Sequence, residues 1–227
     1  GEINFLSKII KPDIGIITNI SYAHAKNFKN IKQIAMAKSE IINNINQNGV
    51  LVLNADDHFF HLHKKIAIKR KLKVLTFGLN KKANVRFKYI KKEKNKFKIS
   101  IIINKKNKFF YISTNYKSFI YNLLATITII SIFKDPTRLN KNTFQNMNCP
   151  TGRGDILKLR LYNKNINLVD ESYNSNPLSL KSAVENFNLI NTSNNKYVIL
   201  GDMLELGKHS KSLHRKITPI INSTSIN

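Results

Sequence analysis

The 227-residue sequence predicts an α/β protein: a parallel α/β layer carrying a β-meander, followed by the first part of a second α/β domain. Three observations predict it. Apolar, β-branched runs at 14–20, 50–53 and 74–78 read as strands buried on both faces of a parallel sheet. A helical period separates the first two of them. Between 84 and 114 the pattern becomes short strands divided by polar turns.

Taken in order, Pro12-Asp13 introduces the strand Ile14 to Ile20, and a loop containing His24 follows. Ile31, Ile34, Ala35, Ile41, Ile42 and Ile45 mark a helix that ends before Gly49. Val50 to Leu53 and Val74 to Gly78 are the next strands, the first running into Asn54-Ala55-Asp56-Asp57. Lys91 to Lys96 and Asn104 to Lys108 are expected as the turns of the meander. Leu123 to Phe133 exceeds ordinary strand length once its flanks are included, so it is assigned as a buried helix ended by Asp135-Pro136. The polar stretch Asn140 to Pro150 reads as unstructured and as the boundary between domains at 1–145 and 150–227. Beyond it come strands at 156–162 and 166–170, a helix capped by Asn176 with Pro177 as its first residue, and a buried strand Tyr197 to Leu200.

The formal net charge of +25 invites a polyanion partner, since neutralised phosphates release counterions. Only six of the 38 basic residues are Arg, however, and Lys travels with Asn and Ile, the trio that AT-rich codons supply. The Lys runs at 64–65, 69–73 and 91–98 lack the aromatic interleaving of a single-strand binder and read as solvated faces. No nucleic acid is therefore expected as partner. The uncharged stretch 118–133 is too short and too polar to span a membrane, so no membrane insertion is expected. A single cysteine, Cys149, excludes a disulfide framework, makes a reducing cytoplasm the default, and is read as structural.

Several residues carry candidate chemistry. Lys38 shares a helical stripe with Ile31 and Ile45 and so points toward the core side. Burial favours its neutral amine, which near a metal can add carbon dioxide and become a carbamate; the alternative is a lysine snorkelling from the edge of the face. His24 sits past a strand end, where ligand-facing loops occur, or is an ordinary loop residue. His58, His61 and His63 fall short of zinc spacings and read as surface residues. Asp170 and Glu171, beside Tyr173, Asn174 and Asn176, suit ribose hydroxyls or phosphates, or only cap the helix. Arg153 between two glycines has the fork for phosphate and equally suits a turn. Gly201 to Gly207 lacks the form of a phosphate loop, and no such loop occurs in these residues.

Taken together, Gly1-Glu2-Ile3, Pro12 to Ile20, Ala23-His24, Ala37-Lys38-Ser39-Glu40-Ile41, Asn54-Ala55-Asp56-Asp57, Gly152-Arg153, Asp170-Glu171-Ser172-Tyr173-Asn174-Ser175-Asn176-Pro177 and Gly201-Asp202-Met203-Leu204-Glu205-Leu206-Gly207 with His214 resemble the Mur ligases, most closely the MurF type of that family. The resemblance runs from Gly1 to about Ile217, thinly between Lys81 and Lys117. It implies a central ATPase-type α/β domain and the first part of a Rossmann-like C-terminal domain.

It also implies roles. His24 would hold Mg²⁺ and Lys38, carbamylated, a second Mg²⁺, and both would be catalytic. Asn122 would lie on the adenine side of ATP, although Ser118 stands where the family shows a histidine. Arg153 would approach the phosphates, and Asp170 or Glu171 the ribose. Tyr173, Asn174, Asp202 and Glu205 would border the place where the peptide substrates meet. The implied reaction joins D-alanyl-D-alanine to UDP-N-acetylmuramoyl-tripeptide in a monomer, with ATP and Mg²⁺. The alternatives are a folylpolyglutamate-type or tripeptide-forming ligase, a basic nucleic-acid module, or a non-catalytic relic. The family's phosphate loop, UDP-binding domain and acidic Mg²⁺ ligand would precede Gly1, and its C-terminal domain would continue past Asn227, so these residues by themselves are expected to be inactive.

Overall fold

The computed structural model describes residues 1–147, 150–190, 192 and 194–226. Contacts divide them into two compact units: Gly1–Ile20 with Ile31–Met147, and Ser21–Asn30 with the described residues after Met147. Cys149 lies outside the described residues.

The first unit is built on a mixed six-stranded sheet in the order β1 (Ile14–Ile17), β2 (Val50–Asn54), β3 (Lys73–Gly78), β4 (Val85–Glu93), β5 (Lys96–Ile103), β6 (Lys106–Ile112). β1 to β4 run parallel and β4 to β6 antiparallel. β1 stops at Ile17, short of the expected Ile20, because the backbone N–H of Ile20 donates instead to the Asp57 carboxylate. β2 is buried throughout, as its unbroken apolar run requires. The meander strands run longer than expected, since the turn at Asn104-Lys105 needs only two residues, both at positive φ.

Helices α2 (Ile31–Asn44) and α3 (Phe60–Lys69) make the parallel crossovers. Helix α4 (Lys117–Phe133) packs Leu123, Leu124 and Ile127 onto the sheet. The hydroxyls of Thr126, Thr128 and Ser131 are satisfied within the helix, Thr128 donating to the Leu124 carbonyl at 2.7 Å, which is how a β-branched segment stays helical in a core. The stretch 140–147 is turned rather than unstructured, because Phe144 is buried with its ring 5.0 Å from that of Phe110. His63 is buried too, against the surface reading: it faces α2, and its Nε2–H donates to the Ala35 carbonyl at 3.1 Å.

One helix escaped the sequence reading. α1 (Glu2–Ile10) turns its polar side to α2, where Asn44 donates to Asn4 and Ser7, and leaves Phe5, Leu6, Ile9 and Ile10 exposed. The aromatic interleaving absent from the Lys runs also appears in three dimensions. Cross-strand pairing sets Lys98 beside Tyr111, and places the ammonium groups of Lys96 and Lys98 over the rings of Tyr111 and Phe109 at 3.6 and 4.5 Å.

The second unit contains the hairpin β7 (Asp155–Leu161) and β8 (Lys164–Asp170), then α5 (Pro177–Asn188), α6 (Ser210–Arg215) and α7 (Thr218–Asn222). Asn176 caps α5 through its side chain, and Ser179 returns the bond in a capping box. The expected strand Tyr197–Leu200 does not form: among the described residues no strand lies beside it to complete a ladder, and Ile199 is 96% exposed. Among the described residues no helix is long and apolar enough to cross a membrane.

Candidate active site

In the first unit the carboxyl ends of the parallel strands, where α/β sheets place ligands, are tied together by Asn54, Asp56 and Asp57. Asn54 donates to the Thr18 carbonyl at 3.0 Å and accepts the Asp56 N–H. The Asp56 carboxylate accepts the N–H groups of Leu79 and Asn80 at 2.5 and 2.9 Å and the Tyr121 hydroxyl at 3.0 Å. Burial first, then the bond to Asp56 and its charge, raises the Tyr121 phenol above the ordinary tyrosine range. Gly78 is required beside this carboxylate: its φ is +145°, and a Cβ would stand 2.4 Å from Asp56 Oδ2.

Asn122, the residue after Tyr121, is exposed on α4, its carbonyl accepting the Thr126 hydroxyl. Lys38 is half-buried on α2, and no hydrogen bond or ion pair engages its ammonium among the described residues. Sequence reasoning quoted Asp56 without a role and missed Tyr121; the available signal was an acidic pair directly after a buried strand.

In the second unit Gly152 and Gly154, at φ 74° and 94°, flank exposed Arg153. Their backbones are pinned, the Gly152 N–H to Asp155 and the Gly154 N–H to the Asp170 carbonyl at 2.7 Å. The guanidinium of Arg153 lies 4.4 Å from the centre of the Tyr173 ring. Asp170 is held below the ordinary aspartate range by hydrogen bonds from Ser172. Glu171 is pushed above the glutamate range by partial burial, then by Asp170 and Asp155, with Arg153 opposing. Arg153, Asp170, Glu171 and Tyr173 thus form one cluster; Asn174 is exposed beside it.

A second cluster in this unit joins the loop 21–30 to the loop 201–209. His24 is 73% exposed, and its Nδ1 meets the Glu205 carboxylate. Asp202 to Gly207, Lys208, Ser210, Lys211 and His214 line a cavity of about 590 Å³. His214 Nε2 accepts the Met203 N–H at 3.1 Å while its Nδ1 donates to the Ser210 carbonyl. In that tautomer Nε2 holds no proton for Asp202, whose Oδ1 is 3.7 Å away.

Among the described residues no three His, Cys, Asp or Glu side chains converge as a metal cage. Mg²⁺ does not need one, because it keeps several waters and is commonly held by one or two protein groups plus substrate phosphates. His24 fits that pattern through Nε2, and Lys38 would fit it as a carbamate, whose oxygens suit a hard cation.

Residues 1–130 match the Mur ligase middle domain. The chain belongs to the Mur ligase family. It is 31% identical over 226 residues to the UDP-N-acetylmuramoyl-tripeptide--D-alanyl-D-alanine ligase of Rickettsia prowazekii, covering 97% of this chain and 48% of that protein. Among solved structures it resembles MurF from Acinetobacter baumannii (TM-score 0.83, 21% identity, 99% of this chain and 47% of that one). It also resembles the MurF ligase from Thermotoga maritima in complex with ADP (TM-score 0.82, 22% identity, 99% and 50%). The Mur ligase fold thus extends over both units, and the chain spans about half the length of the relatives it matches.

Proposed function

We propose that these residues are the central part of an ATP-dependent amide ligase that joins D-alanyl-D-alanine to UDP-N-acetylmuramoyl-tripeptide in the cytoplasm, working as a monomer. The observation that carries this reading is the likeness over 97% of the chain, at 31% identity, to a relative bearing that activity as its name. The D-E-S-Y-N-S-N-P string supports it, being folded as a turn with Tyr173 against Arg153 and a capped helix behind it.

In this reading the tripeptide carboxylate takes the terminal phosphoryl group of ATP, and the amine of D-alanyl-D-alanine displaces phosphate from the acyl phosphate. Such a transfer needs positioning and charge neutralisation more than an unusual side chain. Bound Mg²⁺ supplies that neutralisation between the carboxylate and the phosphates. His24 and a carbamylated Lys38 would each hold one ion. Lys38, half-buried and with no hydrogen bond or ion pair at its ammonium among the described residues, is open to addition of carbon dioxide with loss of a proton. Arg153 would face the phosphates, Asp170 and Glu171 the ribose, and Asn122 the adenine. Tyr173, Asn174, Asp202 and Glu205 would border the peptide substrates.

The test is ADP release by the product of the whole reading frame that carries these residues. Release that requires the tripeptide, D-alanyl-D-alanine and Mg²⁺, and falls at least a hundredfold in Lys38→Ala, is expected. Release that depends on a glutamate chain or on the third amino acid of the peptide instead would assign it to another ligase type. No release under any of these conditions would leave the relic reading.

A further inference from the structure

The loop that carries His24 is shaped by a segment far away in sequence. Lys26 N–H donates to the Glu205 carbonyl at 2.7 Å, and His209 Nε2–H donates to the Phe28 carbonyl at 3.0 Å. The Tyr22 ring lies 5.3 Å from that of His209. Gly207, at φ 53°, allows the closest approach; a Cβ there would sit 2.9 Å from Lys26 Cα. Both His24 and Glu205 hold positive φ, 53° and 59°, a conformation that non-glycine residues adopt rarely and keep only when the surroundings impose it. At the centre of this template the Glu205 carboxylate meets His24 Nδ1.

We propose that Glu205 is a positioning residue for His24, holding the imidazole by Nδ1 so that Nε2 is presented, unprotonated, to a divalent cation. This rests on the reading of His24 as a Mg²⁺ ligand. A carboxylate at Nδ1 keeps the proton on that nitrogen, fixes the ring's orientation and raises the basicity of the other nitrogen, which is the usual arrangement behind a metal-ligating histidine. The pair is exposed, with side chains 73% and 57% accessible, so as an ion pair it adds little stability. Its effect is on the tautomer and aim of one ring. Glu205 therefore acts through His24, at the edge of the place proposed for the peptide substrates.

Two measurements on the full chain test this: Mn²⁺ binding followed by electron paramagnetic resonance, and the His24 tautomer read from long-range ¹H–¹⁵N spectra. The expected result is an Nδ1-protonated ring in the wild type. Glu205→Ala should give mixed tautomers and about tenfold or greater loss of Mn²⁺ affinity, the range for removing such a partner. Glu205→Gln, which still accepts the Nδ1–H, should keep the tautomer and lose less, and it replaces the alanine variant should that one fail to fold. If His24→Ala weakens Mn²⁺ binding while Glu205→Ala binds as the wild type does, the positioning role is wrong and the ligand role stands. If His24→Ala binds Mn²⁺ as tightly as the wild type, the ligand reading fails and this proposal with it.

Discussion

The two units differ in where their apolar side chains go. In the first, Phe77, Phe110, Leu124 and Ile127 are fully buried between the sheet and α4. In the second, the hairpin shows Ile156, Leu157, Leu159, Leu161, Ile166 and Leu168 to solvent, and burial falls to residues such as Val184, Met203, Leu206 and Leu213 of the helices and loops. Polar clusters occur in both units: Asp56 with Tyr121 at the strand ends of the first, and Arg153 with Glu171 and His24 with Glu205 in the second. Close packing thus holds the first unit together, while the second keeps more of its apolar surface in contact with solvent.

The comparison breaks most easily at the core. Phe110→Ala should destabilise the first unit by about 3–5 kcal/mol, whereas Leu159→Ala in the hairpin should cost under about 1 kcal/mol. Urea unfolding read unit by unit through amide exchange measures both; equal costs would mean the hairpin is packed in solution. Next in size is Asp56→Ala, which leaves the Leu79 and Asn80 amides without their carboxylate and frees Tyr121. About 1–3 kcal/mol should be lost, confined to exchange at the ends of β2 and β3.

The same contrast decided what could be read in the sequence. Parallel strands buried on both faces announce themselves, so β2, β3 and the crossover helix α2 were legible within a residue or two, and so was the N-cap of α5, where Asn-Pro fixes the start. Tyr197–Leu200 has the same composition, yet composition does not supply a neighbouring strand, and the segment stays exposed. α1 was missed because it inverts the rule that apolar residues face inward. Among the candidate residues, Arg153 and Asp170 were legible as candidates from flanking glycines and a strand end. The Glu205–His24 contact was not, since 181 positions separate the partners and only the fold joins them. For the same reason a run of lysines looked free of aromatic rings until β6 placed Tyr111 and Phe109 beneath it.

A third, smaller effect sharpens the contrast from within the second unit. Asn176→Ala removes the acceptor for the Leu178 and Ser179 amides and should cost about 1 kcal/mol, seen as faster exchange in the first turn of α5 and nowhere in the first unit. Loss of protection in the sheet as well would show that the two units unfold together.

The smallest effect depends on pH and distinguishes two adjacent carboxylates. The folded-state pKa of Glu171 is raised, so between its ordinary value and that raised one the folded chain keeps a proton that the unfolded chain has released. Stability from this group therefore falls as pH rises through that window, and above it the buried portion of the charge, facing Asp170 and Asp155, is a standing cost that Arg153 only partly offsets. Glu171→Gln cannot ionise and should stabilise the second unit at pH 7, by less than about 1 kcal/mol for so exposed a site, with no gain below the ordinary glutamate range. Asp170 has the opposite sign. Its pKa is lowered by hydrogen bonds from Ser172, so its contribution is present above the unfolded aspartate value and is lost as pH falls through the folded one. Asp170→Asn should weaken the second unit at pH 7 and match the wild type in strong acid. Urea midpoints for the second unit at pH 3, 5 and 7 separate the two. If both variants shift it in the same direction at pH 7, the Ser172 bonds and the crowding of carboxylates around Glu171 are not what sets the charge of this cluster.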